Sequence, residues 1–426
     1  MYLILLVTVL GLFVYGFFFY RARQWTLIDS FFLGVSLYQL GACLLILDVG
    51  LNGQSELIIK TSSLCFLVTC IASVGVRTRI ASSVSAFYNV KHYLGHNEKF
   101  LAKGVILFLI GANALIAYVI LTRFSDIFLS MEPGFLLDVR KKIASGERGF
   151  LAPGLIKQIR DIISPMVIAF IAMYLTGSRS YFLGGGLFAA VFFAVIVGGQ
   201  RLPVIVLGGA VLVCLGFYRS NYFSARPRYL ALGLFLIFIS VTGLNYLLGR
   251  IEGGGILVSL YNTFKGVLWR AVQVVPYENY SSIIFVQKMD FPPFFIWMQE
   301  LSSIVPGIRS NFSSELHANL GGSYEGNSVL GAALSSYFNA GFLGVILFPL
   351  FIILTLFLME LCFLGLRSKV LSAARVVLFF QIPLWYSPFL AVLNGGLAFA
   401  FLFFVVLLYK ILAGFQRHRE IGQEAK

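Results

Sequence analysis

The sequence predicts an all-α, polytopic integral membrane protein of about eleven transmembrane helices. Three observations predict it. Of the 426 residues, 59% are hydrophobic and only 12% are charged, about half the charged share of an ordinary soluble domain. Apolar runs of about 20 residues, each able to cross roughly 30 Å of hydrocarbon as a helix, recur from one end of the chain to the other. Lys and Arg are distributed unevenly between the links joining those runs, as expected of a multi-pass topology. The chain 1–426 therefore reads as a single transmembrane helical domain.

The first run, MYLILLVTVLGLFVYGFFFY, has neither a basic leader nor a small-residue cleavage site, which predicts a span of 1–20 that is retained rather than a signal peptide. Further spans are expected near 26–47, 57–76, 104–122, 161–177, 181–198, 202–217, 229–248, 329–362, 375–393 and 397–414. The run 329–362 is too long for one straight crossing, so part of it should tilt or lie along the interface. All five cysteines, Cys43, Cys65, Cys70, Cys214 and Cys362, fall inside apolar runs, where the thiol behaves as a small hydrophobe. No disulfide or thiol chemistry is expected.

Orientation follows from the links. With the N-terminus outside, Arg21 and Arg23, the 77–103 link, Arg179, Arg219, Arg226, Arg228, Arg367, Lys369, Arg375 and the basic C-terminal tail all face the cytoplasm. The short outward links 48–60, 198–202 and 394–396 hold only two basic residues, Lys60 and Arg201. The positive-inside rule therefore places the N-terminus in the periplasm and the C-terminus in the cytoplasm. The net charge of +14 is a topology signal that calls for no nucleic-acid partner.

Two long hydrophilic segments, 123–160 and 249–328, then fall on the outer face. The larger is nearly charge-balanced, rich in Phe, Tyr and Trp and punctuated by Pro276, Pro292, Pro293 and Pro306. That composition suits short interfacial helices, for example 294–304, folded over the mouth of the bundle rather than a disordered tether. Function is expected there.

Several chemistries are unsupported. The six aspartates are scattered without an Asp-x-Asp pair, which argues against a metal-dependent sugar-nucleotide enzyme. His92 and His96 have helical i, i+4 spacing, but beside Lys91 and Lys99 they read as a solvated face. Neither a phosphate-cradling GxxxxGK[ST] loop nor a GxSxG elbow occurs. No metal and no cofactor are expected.

What survives is arginine on the outer face: Arg123, Arg140, Arg148, Arg160, Arg201, Arg250, Arg270 and Arg309. Guanidinium groups stay charged and grip phosphate oxygens in pairs, so a cluster of them suits a lipid diphosphate. Arg309, Glu315 and His317 stand within nine positions of one another and form the candidate catalytic group. His317 can move a proton near neutral pH, and Glu315 can orient it or act as base itself. Arg250, Arg270, Arg160, Arg201 and Tyr324 are the candidate substrate contacts.

Two motifs carry a family resemblance. YLTGSRSYFL (174–183) places a Ser-Arg junction between two helices. GNSVLGAALSSYFNAGFLGVIL (326–347) is a small-residue re-entry into the membrane that holds Asn339, Gly341 and Gly344. With the eleven-span layout and two outer loops, the chain resembles the Wzy-type O-antigen and capsular polysaccharide polymerases. The resemblance implies a GT-C-type helical core and a location in the cell inner membrane. It implies a metal-independent glycosyltransferase that moves a growing glycan from undecaprenyl diphosphate to a new undecaprenyl-diphosphate-linked oligosaccharide. A chain-length regulator and a flippase are the candidate partners beside the lipid bilayer. O-antigen ligase, lipid-linked oligosaccharide flippase and membrane acyltransferase remain the alternatives. A flippase should show two matched halves with short loops throughout, and the sequence has neither.

Overall fold

A computed structural model describes residues 8–16, 26–88, 96–130, 135–145, 153–174, 178–198, 202–213, 235, 238–243, 245, 256–289, 292–302, 311–320, 330–366 and 369–384. Every regular element among them is helical.

The helix Leu27–Val49 organises the bundle. Thr26 and Asp29 form a reciprocal capping box at its start: the Thr26 hydroxyl accepts from the Asp29 amide, and the Asp29 carboxylate accepts from the Thr26 amide. Two otherwise orphaned amides of the first turn gain partners this way. After a turn at Gly50 (φ 77°), the helix Gly53–Tyr88 returns alongside it.

Four described helices are long and apolar enough to cross a membrane: Leu27–Val49, Gly53–Arg77, Ala102–Arg123 and Ala332–Phe363. They match the spans expected near 26–47, 57–76, 104–122 and 329–362. Shorter apolar helices run Phe182–Val197 and Val370–Gln381. The expected span 397–414 lies outside the described residues, as does most of 229–248.

The over-long run 329–362 departs from a straight crossing, as its length demands. Within Ala332–Leu366 the backbone breaks at Ala340 (φ −149°, ψ 27°) and Gly341 (φ 60°, ψ −154°). The Gly341 conformation is essentially closed to residues with a Cβ. Beyond the break the chain folds close over the first half, where a Cβ on Gly344 would come within 2.3 Å of the Ser336 carbonyl oxygen.

Apolar packing gathers in separate clusters. One joins Phe31, Phe66, Phe348, Leu356 and Val377 through the first spans, the broken helix and Lys369–Gln381. A second joins Ile106, Leu109, Ile171, Leu187, Val191 and Leu207. A third unites Ile46 and Ile58 with Ile283, Ile296, Phe312, Leu316 and Leu334. Four of these, Ile283, Ile296, Phe312 and Leu316, come from the expected outer loop, so that loop is packed onto the bundle as a roof.

Within the roof, Phe295–Ser302 matches the short helix expected at 294–304. Residues 256–288 differ from the expectation of short pieces only. They run helical from Ile256 to Lys288 through a π-turn at Trp269–Gln273. Gly41 makes this possible, because a Cβ there would lie 1.7 Å from the Val272 carbonyl oxygen.

Candidate functional site

The two ends of the bundle are built differently. At one end, two ion pairs close around the start of Leu27–Val49. Arg77 Nε donates to Asp29 Oδ1 at 2.6 Å, with both side chains at least 97% buried. Tyr15 also donates to Asp29. Arg375 grips Glu360 with Nε and Nη2, each at 2.9 Å. Glu360 Oε1 also accepts the Leu27 amide at 2.7 Å. Each carboxylate thus meets a guanidinium and a backbone N–H, the condition for holding charge in a dry interior.

This clasp joins Thr26, Arg77, Glu360 and Arg375, which the topology reading puts at one side of the membrane. Their meeting agrees with that grouping. The sequence signal was present: Asp29 and Glu360 are the lone acids of their apolar runs, and a charge at membrane depth needs a partner.

The other end lies about twenty residues further along Leu27–Val49, roughly 30 Å away at the rise of an α-helix. Tyr277 donates to Asp48, and Asn52 donates to the Tyr280 hydroxyl at 2.8 Å. Burial, then the hydrogen bond to Asp48 and its negative charge, push the Tyr277 hydroxyl up to about 12. Deeper in, Asn279 bridges the Tyr38 hydroxyl (2.6 Å) and the Gly331 amide (3.0 Å). Below this bridge, Phe31, Val35, Ala332, Ala333 and Ile382 line a small apolar cleft.

Asn339, at the helix break, holds the roof helix Phe295–Ser302. Its carbonyl accepts the Phe294 amide at 3.0 Å. Its side-chain oxygen accepts the Trp297 amide at 3.0 Å, and its side-chain nitrogen donates to the Ser335 carbonyl at 2.7 Å. One residue therefore caps the roof helix from outside that helix, where an N-terminal amide would otherwise be unmet.

The predicted site residues are distributed as follows. Glu315 and His317 lie on the helix Asn311–Asn319, on either side of Leu316, which is fully buried in the third cluster. Residues two apart on a helix are separated by about 200° around its axis, so the two side chains flank Leu316 instead of facing one another. Both are partly buried.

Arg160 sits in the π-turn Ile159–Ile163 at 3% exposure. It pairs with Asp161 through Nε–Oδ1 at 2.6 Å and Nη2–Oδ2 at 3.1 Å. Its guanidinium also occupies the space where a Cβ on Gly198 would stand, 2.5 Å from Nη1. Arg270 belongs to the second π-turn, Trp269–Gln273, whose Val272 carbonyl is the group that approaches Gly41. Arg309, Arg250, Arg201 and Tyr324 lie outside the described residues.

Two roof residues, Trp297 and Glu300, and Ser335 on the broken helix beneath them escaped the sequence reading as site candidates. Glu300 is 9% and Ser335 2% exposed. The only sequence clue was a glutamate four residues after Ile296, on the face of a short helix that an apolar neighbour turns inward.

In the junction YLTGSRSYFL, Ser178 and Arg179 belong to the helix Ser178–Val197 instead of standing between two helices as expected, and residues 175–177 lie outside the described residues. Arg179 is in the first turn of that helix. Among the described residues, no group of three His, Cys, Asp or Glu side chains is placed to hold a metal ion. No protein-family model, curated protein or solved structure matches the chain.

Proposed function

We propose that this chain is a Wzy-type polysaccharide polymerase, an eleven-span inner-membrane enzyme with a GT-C-like core. It joins undecaprenyl-diphosphate-linked oligosaccharides at the periplasmic end of the bundle. One observation carries the reading: helices of the 249–328 segment form a polar-edged roof, pinned by Asn279 and Asn339 over one end of an apolar helical bundle. A reaction between two lipid-linked substrates needs this combination, an apolar body to hold lipid beside a polar cover that meets sugar and phosphate.

In this reading, a hydroxyl of the acceptor sugar attacks the anomeric carbon of the donor glycan. The carbon–oxygen bond to the lipid diphosphate breaks, and the electron pair leaves with the diphosphate. Arg309 binds that diphosphate, and guanidinium charge stabilises it as it departs. His317 takes the acceptor proton. Glu315, on the opposite flank of Leu316, orders the roof instead of orienting His317. Arg250, Arg270, Arg201 and Tyr324 complete the substrate contacts. Arg160, paired with Asp161, acts through structure.

The experiment is glycan length on gels from a strain lacking this chain. Loss of a polymerase leaves single-repeat caps, loss of a ligase leaves polymer on undecaprenyl, and loss of a flippase leaves no product. Complementation with Arg309→Ala should give caps only, whereas Arg309→Lys should give shortened ladders, because lysine keeps the charge and loses the planar fork. His317→Ala should slow transfer by about 10²- to 10⁴-fold. Wild-type ladders from both alanine variants, at normal membrane levels, would remove these residues from the site.

A further inference from the structure

Trp297 and Glu300 stand one turn apart on the roof helix Phe295–Ser302. Glu300 follows Ile296 by four residues, so the two share a face, and both are buried, at 9% and 2% exposure. Opposite them, Ser335 lies one turn before Asn339, whose side chain ties the two elements together through the Trp297 amide and the Ser335 carbonyl. The indole Nε1 of Trp297 and the Oγ of Ser335 are both cut off from solvent and make no hydrogen bond. Buried polar atoms are nearly always paired in folded proteins, so two such atoms on elements joined by one asparagine call for a missing partner.

The chemistry of the three groups restricts that partner. An indole N–H only donates, a carboxylate only accepts, and a serine hydroxyl does either. A diphosphate would satisfy the indole but would be repelled by Glu300. A hydroxyl group can accept from the indole and pair with Ser335, and Glu300 does not repel it.

We propose that Trp297, Glu300 and Ser335 form the acceptor-sugar subsite, which takes hydroxyl groups of the incoming repeat unit while the diphosphates stay with the arginines. This rests on the polymerase reading. It adds the place where the sugar, rather than the lipid diphosphate, is recognised. Asn339 is the positioning residue, because it holds the roof helix at this depth, and the break at Ala340–Gly341 puts Asn339 there.

The test is calorimetric binding to the full-length protein in detergent with two probes: the repeat-unit oligosaccharide freed from its carrier, and undecaprenyl diphosphate without sugar. Wild type should bind both. Trp297→Phe and Ser335→Ala should each weaken the oligosaccharide by about five- to tenfold, and Glu300→Gln by more than tenfold, with undecaprenyl diphosphate bound as in wild type.

Unchanged oligosaccharide affinity in Trp297→Phe and Ser335→Ala overturns the subsite, and so does equal loss for both probes or wild type that binds no oligosaccharide. A lowered melting temperature with unaltered binding assigns the two atoms to an internal water and also overturns it. If Glu300→Gln fails to remain monodisperse, the other two variants decide. The glycan ladder in cells separates the two ideas. Wild-type ladders alongside unaltered oligosaccharide binding by Trp297→Phe sink the subsite alone, whereas a chain that supports no ladder sinks the polymerase reading and the subsite with it.

Discussion

Asp29 and Arg77 show how much one residue decides inside an apolar bundle. Their pair is almost fully buried, so removing either partner strands a charge, at a cost of about 3–5 kcal/mol. Asp29→Asn and Arg77→Ala should therefore lower the melting temperature in detergent markedly and cut membrane accumulation; a melting temperature equal to wild type for both would show that the clasp contributes nothing.

Tyr277 gives a pH-dependent counterpart at the roof. Its folded value of about 12 lies above the ordinary value of about 10. The folded state thus keeps the proton where the unfolded chain loses it. The stabilisation is complete below pH 10 and disappears as pH rises towards 12. Tyr277→Phe should remove this alkaline loss, measured as melting temperature across pH 9 to 12, and parallel curves for variant and wild type would refute the assignment.

Among the elements, the broken helix Ala332–Leu366 bears most on the site. Gly341 adopts a conformation that costs a residue with a side chain about 1–3 kcal/mol, and straightening the helix to avoid that cost would carry Asn339 away from the roof. Gly341→Ala should thus loosen the roof helix as well as destabilise the fold. Asn339→Ala removes the external cap, worth about 1 kcal/mol. In both variants, hydrogen exchange at the Phe294 and Trp297 amides should rise well above that of the Leu27–Val49 helix. Exchange as slow as in wild type would mean the roof is held elsewhere. The two π-turns have a related character: each lets a helix bend where a glycine, Gly41 or Gly198, leaves room for a carbonyl or a guanidinium.

At the scale of the whole molecule, the clasp and the roof sort the chain into two ends, and the proposed orientation puts the clasp inside. A periplasm-dependent reporter fused after Lys426 should then stay silent, and activity there would invert the topology. Arg179, in the first turn of Ser178–Val197, falls at the inner end in this arrangement, away from the proposed chemistry. Arg179→Lys should accordingly keep full-length ladders. Complete loss of polymer in a normally inserted Arg179→Lys protein would bring this residue into the site or change the span count.

Hydrophobic run length and local signals are properties of a short stretch of chain, and what they govern was legible in the sequence. The four long spans, the bent 329–362 run and the helix near 294–304 all follow from stretches of contiguous chain. Partnerships between residues far apart in the sequence were not legible. Asp29 with Arg77, Leu27 with Glu360, Gly331 with Asn279 and Trp297 with Asn339 depend on which helices become neighbours. Arg160, read as an outer-face arginine, therefore proved to be buried where distant Gly198 leaves room for its guanidinium, and a glutamate counted only as loop charge, Glu300, proved to be buried. Composition fixes that a charged group at membrane depth must find a partner, because lipid offers none. Only the packing of distant segments decides which partner it finds.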